Sequence, residues 1–175
     1  LIKLLALLRD VDTDAHSEFH ARLAAIMLKL RFSLCCDKEG AGYEALSQSA
    51  RDALTAIVTE LIALVERKES VYAKRSSTAE YGWAHRGAIA CRQVDSWLRH
   101  VPLEWQAPRV MPERWSSEIN FLSAAMDVRD RAQADNLDWI MRQEGPLGKI
   151  LVFASRYHLS AVSVKAGYRD NNGDE

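Results

Sequence analysis

The chain has 175 residues, 48% hydrophobic and 27% charged, a composition that suits one soluble globular domain. Its 23 Lys plus Arg against 24 Asp plus Glu give a net charge of -1, which supplies no electrostatic footprint for nucleic acid or an acidic membrane surface. Three cysteines, Cys35, Cys36 and Cys91, are odd in number and lack paired zinc spacing, so they point to a reducing, cytoplasmic setting without a disulfide framework.

The opening "LIKLLALL" carries a lysine, lacks a cleavage site and is far shorter than the ~20 apolar residues of a membrane span. It starts in mid-pattern at Leu1, and residues are expected upstream of it. A first long helix is predicted over Ala15 to Leu34, capped by Thr13 and Asp14, with Leu23, Ile26, Met27 and Leu30 as its stripe. "DKEGAG" breaks it. A second helix is predicted from about Glu44 to Lys68, burying Leu54, Ile57, Val58, Leu61, Ile62 and Val65 and leaving Glu60, Glu66, Arg67 and Lys68 outside.

A third helix is expected from Glu80 to His100, with Trp83, Ala84, Ala88, Cys91 and Trp97 facing inward. "VPLEWQAPRVMPERW" carries three prolines and reads as a loop. A fourth helix, about Asp127 to Gln143, ends at "EGPLG". "KILVFA" then reads as a strand at about 149–154, buried on both faces as in α/β sheets. One strand makes no sheet, so the remaining strands are expected elsewhere. The chain is thus expected to be mainly α, a single and incomplete domain. Residues 1–145 form its helical part, 149–161 the strand with its polar ending, and "YRDNNGDE" (168–175) a disordered tail.

Several constellations could carry chemistry. His16 and His20 are four apart and share a helix face, but a metal site needs a third ligand and no HExxH is present, so a solvated face is the plainer reading and no metal is expected. Cys35 and Cys36 read as packing residues, and Trp83, Trp97 and Trp139 as core, with Trp105 and Trp115 in the loop. In "VRDRAQADN", Arg129 and Asn136 are seven apart, about two turns, and share a face; Asp130 lies near the predicted helix start. An exposed, charge-laced helix is the plainer reading of that segment alone. At the strand end stand Ser155, Arg156 and His158, where open α/β sheets bind ligands. Imidazole can take a proton from water near neutrality.

"RDRAQADNLDWI", a Gly-Pro-Gly break and "KILVFASRYHLSA", in that order, resemble the C-terminal half of the erythromycin esterase family. The family's pattern is roughly Arg-Asp-x-x-Met-Ala-x-Asn, a helix, a loop, and an apolar strand ending in His-Asn-x-His. Arg129, Asp130, Ala134 and Asn136 match the helix motif, with Gln133 at the methionine position. His158 matches the second histidine, while Ser155 and Arg156 stand at the first histidine and the asparagine. "YGWAHRGAIACRQ", with Gln93 near its end, resembles the preceding helix, so the likeness spans about Leu46 to Ala161.

The resemblance implies the helical region of an α/β hydrolytic fold and cofactor-free, metal-independent hydrolysis of a small-molecule ester or lactone. Macrolide ring opening, an antibiotic-resistance chemistry, is one example; other relatives are linked to succinoglycan biosynthesis. It implies His158 as general base on water, with Arg129, Asp130, Asn136, Ser155 and Arg156 binding or orienting. The family's Gly-Glu-x-x-His segment does not occur in these 175 residues, and Ser155 removes a proton acceptor, so this chain alone is expected to be weak or inactive. The alternative is a non-catalytic relative or a helical binding module.

Overall fold

The computed structural model describes residues 1–27, 43–101 and 119–152. Among them lie six α-helices: α1 (Ile2–Val11), α2 (Thr13–Met27), α3 (Gln48–Arg67), α4 (Glu69–Arg75), α5 (Thr78–His100) and α6 (Ile119–Glu144), with a 3-10 turn at Tyr43–Ala45. The mainly α expectation holds.

The opening apolar run is itself a helix. Leu4, Leu7, Leu8 and Val11 recur at three and four residues and are buried, Leu4 and Leu8 completely. Asp12 then separates α1 from α2, and its Oδ1 accepts from Ala15 N at 3.2 Å. The cap of α2 is therefore Asp12; Thr13 and Asp14, expected to cap it, are already helical. Ala15, Phe19, Leu23 and Ile26 form its buried stripe.

The helix expected from Glu44 begins instead at Gln48, because Ser47 offers the capping oxygen and accepts from Ala50 N at 3.2 Å. Ile57, Val58, Leu61, Ile62 and Val65 of α3 are buried as the periodicity requires. After Lys68 the chain turns at once into α4, a short helix absent from the sequence reading, which buries Tyr72. Ser77 caps α5 by accepting from Glu80 N at 3.1 Å, so the helix starts two residues before Glu80.

Helix α5 is the spine. It packs on α1, α3, α4 and α6, and its small Ala84 and Ala88, both buried, allow close approach. The core joins α1, α2, α3, α4 and α5. Each fully buried leucine contributes about 1.5–3 kcal/mol. Helix α6 starts eight residues before the expected Asp127 and ends as expected: Gly145 adopts φ 72°, and its N–H bonds to Met141 O at 3.1 Å.

Two more expectations are not met among the described residues. Trp83, expected inside, is 46% exposed, because it stands at the margin of α5 where α6 begins to cover it. Lys149–Val152, the described part of the 149–154 strand, is not in a strand and Leu151 is 95% exposed. A strand needs a pairing neighbour, and no strand occurs among the described residues. No helix among them is long and apolar enough to cross a membrane.

Candidate functional site

The seam between α5 and α6 brings Asn136 of the motif region against α5. Trp83 meets Trp139 edge-on, with ring centroids 4.7 Å apart, and Arg86 Nε donates to Asn136 Oδ1 at 2.7 Å. The ascending order on α5 against the descending order on α6 makes the helices antiparallel. Asn136 Nδ2 donates to Gln93 Oε1 at 3.0 Å. Arginine has only donors, so Asn136 must turn its oxygen to Arg86, which leaves its amide nitrogen for Gln93. Arg86 and Gln93 are seven residues apart, about two turns on one face of α5, and one asparagine ties both.

Of the expected site residues, Asn136 thus enters a network across the seam. Arg129 and Asp130 are half-buried on the same helix, toward its N-terminal side, with Arg129 Nη1 3.8 Å from Met126 Sδ. Ser155, Arg156 and His158 lie outside the described residues, as do Cys35, Cys36, Trp105, Trp115 and the 168–175 tail. Sequence reasoning missed Arg86. The available signal was its seven-residue spacing from Gln93, the same spacing that links Arg129 to Asn136.

Charges elsewhere bind the helices together. Buried Asp95 accepts from Tyr43 Oη and the Thr55 hydroxyl, both at 2.5 Å, and from Arg99 Nε at 3.3 Å. Burial, with the Asp95 carboxylate beside it, pushes the Tyr43 hydroxyl above the ordinary tyrosine range. Asp12 Oδ2 accepts from Lys68 Nζ at 2.7 Å and Tyr72 Oη at 2.6 Å, bonds that lower its carboxyl to about 2. The supposed outer face of α3 is cross-linked: Glu60 takes Arg22 at 2.6 Å, and Glu66 lies 3.1 Å from His85.

His16 and His20 stack at 5.4 Å, and no group of three or more His, Cys, Asp or Glu side chains among the described residues could hold a metal ion. A groove of about 640 Å³ runs between α1 and the start of α5, with Leu7 and Ala84 as floor and Lys3, Arg75 and Glu80 at its rim; Trp83 forms its wall toward the seam.

Of the Arg-Asp-x-x-x-Ala-x-Asn residues, Asn136 lies in the polar seam of this helical assembly. The erythromycin esterase family model matches residues 2–173, well beyond the Leu46 to Ala161 span of the motifs, and the chain belongs to that family. No curated protein and no solved structure matches it.

Proposed function

We propose that this chain is the helical part of a hydrolase acting on a small-molecule ester or lactone, with the α5–α6 seam walling its cleft. The observation that carries the reading is the family match over residues 2–173. The convergence of Arg86, Gln93 and Asn136 supports it, since a cleft that opens a carbonyl needs fixed donors beside it.

In this reading the hydrolysis needs neither metal nor cofactor. His158 takes a proton from water as the water attacks the carbonyl carbon, and the tetrahedral oxyanion is met by guanidinium groups. Arg129 and Asp130 orient the histidine or substrate from α6. Arg156 offers a donor, and Ser155 a hydroxyl in place of the family's first histidine. The glutamate and histidine of the Gly-Glu-x-x-His segment come from outside these 175 residues. The test is turnover of simple esters and macrolactones, in the presence of a chelator, by this chain extended upstream. Hydrolysis is expected there and little or none from the 175 residues alone.

Ser155 favours a second reading, a non-catalytic relative that binds such molecules without converting them. Ligand binding with no turnover in the extended protein would establish it.

A further inference from the structure

The groove between α1 and the start of α5 has an apolar floor and a cation at each end. The two helices run antiparallel along it. Leu1 N lies 3.5 Å from Gly87 O at one end, and Arg75 Nη1 donates to Val11 O at 2.6 Å at the other. Lys3 therefore stands toward Trp83 and Ala84, and Arg75 stands at the far end. From Lys3 to Val11 is eight residues, about 12 Å of helix. Between the ends the floor is Leu7, Val11 and Ala84, all buried, and the 46% exposed Trp83 forms a wall. A volume of about 640 Å³ is that of a small-molecule site.

The two acids at the rim are already engaged. Asp10 Oδ1 takes Arg9 Nε at 3.1 Å, and Glu80 Oε2 turns back to the Ser77 hydroxyl at 3.2 Å at the cap of α5. The two bases are not. Among the described residues neither Lys3 nor Arg75 is in an ion pair, and the acceptor that Arg75 meets is the neutral Val11 carbonyl. That bond holds one edge of the guanidinium and leaves donors on the other. Both side chains are exposed, so a ligand reaches them without opening the fold.

We propose that this groove binds a linear dianion with an apolar middle, an α,ω-dicarboxylate. One carboxylate meets the open edge of Arg75, whose planar fork suits it, and the other meets Lys3. The methylene chain lies over Leu7 and Ala84 against the Trp83 indole and takes that exposed face out of water. A monocarboxylate leaves one cation unanswered, and a short dicarboxylate does not reach both. Occupancy needs no ester turnover, so it stands or falls apart from the hydrolase reading.

The experiment titrates the 175-residue chain with suberate by calorimetry at low salt, beside succinate and octanoate. Saturable suberate binding is expected, with octanoate weaker by about 3-fold or more and succinate weaker still. Arg75→Gln should weaken suberate by about 10-fold or more, through loss of a charge-assisted fork, and Lys3→Gln by about 3-fold or more, through loss of an exposed pair. Ala79→Glu serves where Arg75→Gln fails to fold for want of its bond to Val11. It puts a carboxylate at the groove in the first turn of α5, where an acid suits the helix, and should expel suberate. Lys74→Gln, at an exposed cation outside the groove, should bind suberate as the unaltered chain does.

The proposal is overturned if the unaltered chain shows no saturable suberate binding, or if octanoate binds as tightly. Undiminished affinity in Lys3→Gln or in helical Ala79→Glu also overturns it. So does a loss in Lys74→Gln equal to that in Arg75→Gln, which would mark a diffuse attraction between charges.

Discussion

Asp12 shows how one side chain can fasten three helices. It follows α1, caps α2 through Ala15 N, and receives Lys68 at the end of α3 and Tyr72 of α4. Its carboxyl is lowered from 3.8 to about 2, first by the Lys68 bond and then by Tyr72. A depressed carboxyl stabilises the fold fully above its unfolded value and loses that stabilisation as pH falls through the folded value. Urea unfolding should therefore show about 1–2 kcal/mol lost between roughly pH 4 and pH 2, after discounting for the exposed Lys68. Asp12→Asn should lack this part of the pH dependence and be weaker by a similar amount at pH 7. Tyr43→Phe should cost about 1–3 kcal/mol at pH 7 in the same measurement, because Asp95 is buried and loses one of its donors.

Helices were legible where periodicity met a cap or a glycine. The α3 stripe and the Gly145 stop of α6 were read directly, and "STAE" held a Ser-x-x-Glu signature that places the start of α5 at Thr78. What escaped had a physical cause. Helix α1 has no capping side chain to mark its start, since Leu1 stands at its N-cap. Helix α4 is only 7 residues long and follows Lys68 without a breaker. The strand reading at 149–154 rested on apolarity, which cannot show whether a neighbour is present to pair. Leu8→Ala, at a completely buried position, should cost about 2–5 kcal/mol in thermal or urea unfolding. At the seam, a methyl on Gly82 would lie 3.5 Å from Trp139, an ordinary contact. Gly82→Ala should therefore hold or raise stability by up to ~1 kcal/mol, whereas Gly82→Leu should displace the indole and shift its fluorescence.

Across the molecule, α5 divides two kinds of packing. On one side it joins an apolar core built from five helices; on the other it meets α6 through tryptophan edges and an amide–guanidinium network, with Ala125 the one fully enclosed apolar residue of α6 among those described. The apolar core and the polar seam thereby lie on different sides of α5. Of the residues that meet at the seam, Asn136 and Gln93 were singled out from the sequence, while Arg86 emerged only when α5 and α6 were set side by side. In the proposed reading this seam works together with His158, at the end of "KILVFASRYH". The most direct measurement is steady-state hydrolysis of an ester or macrolactone by the chain extended upstream, with and without His158→Ala. The account predicts a kcat lower by about 100-fold or more with KM little changed, as expected on removal of a general base. An active extended protein whose kcat is the same in His158→Ala would contradict it.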